Sequence, residues 1–152
     1  MTIRPATVDE APQVVEMAAR FIAQTAYASL LAGTTPERLS RVYDSLIAGG
    51  GVVLVAEGSD GRFDGFLALA VVEHPLSGGR CAVELGWWVE PRARCAHLGT
   101  ELLIRGEAWA RAEQLGDIKM VEPFGSPQIG RAYVAKGYEP VETVWRKTLG
   151  TV

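Results

Sequence analysis

From Glu84 to Leu103 the chain reads Glu-Leu-Gly-Trp-Trp-Val-Glu-Pro-Arg-Ala-Arg-Cys-Ala-His-Leu-Gly-Thr-Glu-Leu-Leu. An apolar strand runs into Pro91, a short loop with Arg92 and Arg94 follows, and helical spacing of apolar residues begins at Leu98. A helix opening directly on such a loop presents N–H groups without intrahelical acceptors, at the positive end of its dipole. That is an anion site of the kind that takes phosphate. The plainer reading is an ordinary strand-to-helix turn with solvated arginines.

Other residues invite chemistry less directly. His74 follows Glu73 in a turn, and histidine changes charge near neutral pH, which suits a general base. Trp87 and Trp88 could form an aromatic platform, but alternation along a strand lets only one of them face a given side. Core packing is the better expectation for Trp109 and Trp145, and by a smaller margin for Trp87. Cys81 and Cys95 are too few and too far apart for a disulfide framework or a zinc site, so both read as small buried apolar residues. No metal is expected.

These residues need a scaffold, and the sequence punctuates one clearly. A short strand at Ile3–Pro5 precedes a helix with apolar residues Ala11, Val14, Val15, Ala18, Phe21 and Ile22. Thr34-Thr35-Pro36-Glu37 starts a second helix with Leu39, Val42, Tyr43, Leu46 and Ile47 on one face, ended by a glycine run. Three strands follow at Val52–Glu57, Phe63–Glu73 and Cys81–Val89, joined by turn residues into a meander. Leu98, Leu102, Leu103, Gly106, Trp109 and Ala110 mark a long helix, then a strand is expected at Ile118–Glu122. Ser126-Pro127 opens a helix through Lys136 with Gly137 as its stop, and Val141–Leu149 reads as a final strand. The order makes an α+β sheet mixing hairpins with helical crossovers.

With 152 residues the chain fits one domain, spanning residues 1–152. Hydrophobic residues at 48% and charged residues at 22% are those of a globular protein, which excludes disorder as the main state. A net charge of −3 gives no global basic field, so nucleic acid is not an expected partner. The apolar runs fall far short of the roughly 20 residues a membrane helix needs. The N-terminus has no apolar signal core, so a cytoplasmic location is expected.

Val89, Pro91, Arg94 and Gly99 match in register the acyl-CoA motif V-x-P-x-x-R/Q-x-x-G-x-G/A of the GNAT superfamily of N-acetyltransferases, which the segment resembles. Tyr133, Gly137 and Tyr138 similarly match the family's second signature, N-x-x-A-x-x-x-Y-x-x-x-G-F/Y. The element order resembles that fold along nearly the whole chain: a mixed, mostly antiparallel sheet flanked by helices, whose splayed strands form an acyl-CoA cleft. There are departures. His97 stands where the family has its first loop glycine, Ser126 where it usually has Asn, and Ile129 where it often has Ala. A side chain at His97 either obstructs a phosphate cradle or donates a hydrogen bond to it.

The resemblance implies an acetyl-CoA-dependent transfer to a primary amine of a small molecule or a peptide terminus, with acetyl-CoA as co-substrate. Backbone near Trp87 and Val89 would hydrogen-bond to pantetheine as an added strand does. Arg94, Cys95, Ala96, His97, Leu98, Gly99 and Thr100 would hold the pyrophosphate, with Ser126 at the position of the family's Asn. Tyr133 would protonate the departing thiolate. Glu84, made more basic by burial, would deprotonate the amine through water; His74 ranks second and Glu122 third. A homodimer is left open. The competing reading, prompted by His97 and Ser126, is an acyl-CoA or ligand-binding module that keeps the fold with little or no turnover.

Overall fold

The β-branched runs set between turn residues do pair as a meander. The computed structural model describes residues 1–94 and 97–150. Its sheet has five strands in the order β1 (Thr2–Pro5), β2 (Gly51–Glu57), β3 (Phe63–Glu73), β4 (Arg80–Val89) and β5 (Asp117–Lys119). The first three junctions are antiparallel, and β5 runs parallel to β4. Parallel pairing needs a crossover, which the long helix α4 (Leu98–Ala112) supplies.

The alternation of β2 and β3 sends apolar side chains to both faces, so both must be covered. On one face Val53, Val55, Phe66 and Ala68 pack against Val14, Met17, Ala18 and Phe21 of α1 (Ala11–Ala23) and Tyr43 of α3 (Pro36–Ser45). On the other, Val52, Leu54, Leu67 and Leu69 meet Leu98, Leu102 and Ala110 of α4. Gly106 lets α4 approach the sheet: a Cβ there would lie 2.6 Å from Leu67 Cδ2. The expected caps are present at α3, where Pro36 occupies the first turn and Thr35 Oγ1 accepts the Arg38 N–H at 3.2 Å. Between α1 and α3 lies a one-turn helix, α2 (Tyr27–Leu30), that no sequence signal marked.

All of these elements belong to one compact unit, residues 1–121; a second begins at Glu122. The second unit contains α5 (Pro127–Val134), with proline in its first turn and Gly137 at φ +87° beyond its end. Tyr133 is buried, its ring 5.4 Å from that of Tyr138. The carboxylate of Glu122 lies against Gly130, where any Cβ would collide with it.

Three expectations are corrected here. Residues 141–149 form no strand, and Trp145 is 91% exposed rather than part of a core. Alternating β-branched and aromatic residues express a local preference, but a strand exists only where a neighbouring edge supplies ladder hydrogen bonds. The strand expected at Ile118–Glu122 is likewise shorter, because its ladder ends at Lys119. Cys81 is buried, as its composition suggested, whereas Cys95 lies outside the described residues. Among the described residues no helix is long and apolar enough to cross a membrane.

Candidate active site

The site grows from a fork in the sheet. β5 pairs with β4 only at Cys81, Ala82 and Val83; beyond Val83, β4 runs on to Val89 without it. The N–H of Glu90 donates to the Asp64 carbonyl at 2.8 Å, on the β3 side. Strand alternation therefore turns the peptide groups of Val89 and Trp87 to the opposite edge, the side that β5 has left. An extended ligand with amide groups can pair there as a strand would.

A bulge marks the same place. Ala68 pairs with Gly86 and Leu69 with Glu84, which leaves Leu85 without a partner on β3. Glu84 sits at the point of divergence, and its Oε2 accepts the N–H of Val121 at 2.8 Å, just past the end of β5. The carboxylate thus bridges the two parting segments.

At the far end of β4 the motif loop leads into α4. The N–H of Glu101 bonds to the His97 carbonyl at 2.8 Å, closing the first turn, and the His97 side chain makes no capping bond. By helix geometry the N–H groups of Leu98, Gly99 and Thr100 have no intrahelical acceptor, so they point out of the helix start as an anion site requires. His97 holds φ −125°, a conformation open to any residue, so its backbone makes no demand for glycine here. Gly99 does have a steric reason: the indole of Trp87 packs on it, 3.3 Å from where a Cβ would be, and Trp87 Nε1 donates to its carbonyl at 3.2 Å. Leu98 buries its side chain in the core, leaving only its backbone for a ligand. Arg94 folds back, its guanidinium 4.7 Å from the Trp88 ring centroid and its Nε donating to the Val89 carbonyl at 3.2 Å. Cys95 and Ala96 lie outside the described residues.

Beside Glu84 opens a cavity of about 360 Å³. Phe21 and Ile22 of α1, Tyr27 of α2, and Arg38, Leu39, Val42 and Tyr43 of α3 line it, with Leu31 and Thr34 from the connection between α2 and α3. Glu84, Leu85 and Val121 close the side toward the sheet, so the bulge presents two consecutive β4 residues to the same space. Burial pushes the phenol of Tyr43 well above the ordinary tyrosine range, and the charge of Glu84 adds to the rise. Tyr27 is raised by the same two causes, in the same order. Both phenols therefore stay neutral at physiological pH and feel the carboxylate.

Glu90, at the end of β4, is buried, and its Oε1 accepts from Arg20 Nε at 3.0 Å and from the neighbouring guanidinium nitrogen at 2.8 Å. This pair ties the last turn of α1 to the start of the motif loop.

The structure brings Glu84, Trp87, Val89 and the start of α4 onto one strand and its exit. It does not bring His74 to the cavity. His74 lies in the turn before β4, and its Nδ1 accepts the Leu76 N–H at 3.2 Å, so the imidazole shapes its own turn. Ser126 caps α5 in the second unit without a side-chain hydrogen bond, and Tyr133 lies in the same helix. Sequence reading missed Tyr27, Arg38 and the Glu90–Arg20 pair, and it took Tyr43 only as part of an apolar face. A phenol at Tyr43, among purely aliphatic face positions, was the one available signal.

Residues 21–126, which run from α1 through the fork, match the acetyltransferase (GNAT) family. The chain is 30% identical over 125 residues to an aminoglycoside N(6')-acetyltransferase type 1 of Klebsiella aerogenes, covering 77% of this chain and 82% of that one. Among solved structures, an aminoglycoside antibiotic 6'-N-acetyltransferase from Acinetobacter haemolyticus superposes with a TM-score of 0.74 at 16% identity, over 100% of both chains. A predicted acetyltransferase from Clostridium acetobutylicum, solved with acetyl-CoA, does so with a TM-score of 0.75 at 18% identity, over 97% of this chain and 96% of that one. The match covers well over half of the chain and contains the forked strands and the motif helix, so this protein belongs to the GNAT family of acetyltransferases and is an acyltransferase enzyme.

Proposed function

We propose that the chain transfers an acetyl group from acetyl-CoA to the primary amine of a small molecule. The observation that carries this reading is the coincidence of three features along one strand: a β4 edge that β5 leaves beyond Val83, a helix start suited to an anion, and a carboxylate lining a cavity. Bound acetyl-CoA would supply the activated acetyl thioester. The peptide groups of Trp87 and Val89 would hold an amide-bearing chain along the edge of β4, and the N–H groups at the start of α4 would face its diphosphate. Arg94 would have to release the Val89 carbonyl for that edge to be used in full.

Glu84 then takes a proton from the ammonium of the acceptor, directly or through water, freeing the nitrogen lone pair. A nitrogen–carbon bond forms and the carbon–sulfur bond breaks; the thiolate gains one proton and the nitrogen's second leaving proton passes to solvent. Tyr133 is the residue assigned to protonate the sulfur, on the motif match alone. A second reading, a binding module with little turnover, is supported by Arg94, whose Nε holds the Val89 carbonyl on the edge the cofactor would use, and by His97 standing at the position of the motif glycine.

Thermal shift with acetyl-CoA and CoA tests the first requirement, because a ligand of the native state raises apparent stability with concentration. Free-thiol release over a panel of amines tests the second. Stabilisation by acetyl-CoA with no thiol release from any amine would favour the binding module, and no stabilisation at millimolar ligand would remove the acetyl-CoA transferase and leave a module for some other ligand.

A further inference from the structure

We infer that the acceptor is a monoamine with an apolar body, aliphatic or aromatic, and not a polycationic amino sugar; this rests on the transferase reading above and specifies its substrate. Among the described residues the cavity wall carries one carboxylate, that of Glu84. Among the described residues the charged side chains lining it are Glu84 and Arg38, which leaves no surplus of negative charge. The rest of the wall is dominated by aromatic and aliphatic groups, among them Phe21, Tyr27, Leu31 and Val42. One ammonium can sit against Glu84 and the phenol rings, where a cation is attracted both by the carboxylate and by aromatic faces. A second or third ammonium would be desolvated with no counter-charge and would face the like charge of Arg38.

Size points the same way. A volume of about 360 Å³ lies near the lower end of the roughly 300–1,000 Å³ range of ligand pockets, enough for an amine with a short chain or a single ring. Leu31 and Val42 are 41% and 38% exposed, so apolar surface reaches the cavity mouth and extends the contact available to a hydrocarbon tail. An amino sugar would leave its hydroxyls against these side chains without hydrogen-bond partners, a loss for each group buried.

The test holds acetyl-CoA constant and compares kcat/KM by free-thiol release for butylamine, pentylamine, hexylamine, phenethylamine, tobramycin and kanamycin. The alkyl series should gain about fourfold per added methylene until the cavity is full. Hexylamine and phenethylamine should exceed both amino sugars by about a hundredfold or more, the result of desolvating extra ammonium groups without counter-charges. Val42→Glu, at a half-exposed rim position where a charge does not threaten folding, should shift the tobramycin-to-hexylamine ratio by about tenfold toward tobramycin. Amino sugars turned over as well as the monoamines, a flat alkyl series, or an unchanged ratio in Val42→Glu would each overturn the inference. Thiol release confined to tobramycin or kanamycin would leave the transferase standing and sink the monoamine. Thiol release from none of the amines, with no stabilisation by acetyl-CoA, would sink both.

Discussion

Replacing Glu84 by Gln separates chemistry from architecture at the fork. The amide keeps the volume of the side chain, and its oxygen can still accept the Val121 N–H that the carboxylate now accepts at 2.8 Å. What it loses is charge and basicity. A hydrogen bond to a charged acceptor contributes about 1.5–3 kcal/mol and a neutral one about 0.5–1.5, so the fork should weaken by about 1 kcal/mol. Relief of a partly buried charge offsets some of this. For a chain of this size, about 1 kcal/mol corresponds to a fall in Tm of roughly 2–4 °C. Removal of a positioned general base costs far more in rate, about 10²–10⁴-fold, equivalent to about 3–5 kcal/mol in the barrier. The two effects therefore differ enough to be told apart. The assay is kcat/KM against pH with hexylamine as acceptor, alongside Tm. Glu84→Gln should be slow at neutral pH and recover as rising pH supplies free amine without help. A direct check on proximity is ultraviolet titration of the phenols: with the negative charge gone, Tyr27 and Tyr43 should ionise at lower pH than in the native protein, though burial keeps Tyr43 high. A native rate and pH profile in Glu84→Gln would refute Glu84 as the base, and a collapse of Tm in step with the rate would assign it to the fold.

The remaining predictions concern other parts of the molecule. Arg4 donates to both oxygens of Glu10 and also pairs with Glu57, and its hydrogen bonds hold the Glu10 carboxyl down at about 2 against an ordinary value of 4.5. A depressed carboxyl stabilises the fold above pH 4.5 and loses that contribution as pH falls toward 2; after solvent screening this is about 1 kcal/mol. Acid denaturation of Arg4→Met should lack that part of the transition, and an unchanged acid limb would show that the pair contributes nothing. Tyr133→Phe should lower kcat by about 10²–10⁴-fold if thiolate departure limits the rate, with acetyl-CoA affinity nearly unchanged by calorimetry; full activity would make the hydroxyl structural. His97→Gly should weaken acetyl-CoA binding if the imidazole donates to phosphate and tighten it if the side chain obstructs, whereas identical calorimetric titrations would take that side chain out of the site. Gly106→Ala gains up to about 1 kcal/mol in helix propensity but forces a Cβ to 2.6 Å from fully buried Leu67. Overpacking costs about 1–3 kcal/mol, so Tm should fall, and a rise would mean the helix shifts away from the sheet at little cost.

Much of the scaffold was legible in sequence because its signals are local. Thr35-Pro36, Pro91 and the Gly58–Gly61 turn act within a few residues, the apolar β-branched runs of β2 and β3 are continuous between turn residues, and the 3.6 period of α4 follows from backbone geometry. Val89, Pro91, Arg94 and Gly99 likewise lie within one strand-loop-helix passage, so their spacing alone identifies it. The cavity was not legible. Its walls bring together Phe21, Tyr27, Tyr43, Glu84 and Val121, which lie up to a hundred positions apart, and Tyr27 stands in a one-turn helix with no cap and no period.

Sequence by itself determined the family, the order of elements and the identity of the motif helix, because each is written in residues adjacent along the chain. It also overreached at residues 141–149, where a strand-like pattern has no ladder partner. Only the tertiary structure decided that β5 stops at Lys119 while β4 continues, and that a bulge presents both Glu84 and Leu85 to one cavity. Those outcomes depend on which edges meet and in what register. Register is set by packing over the whole sheet, and no short window of sequence contains it.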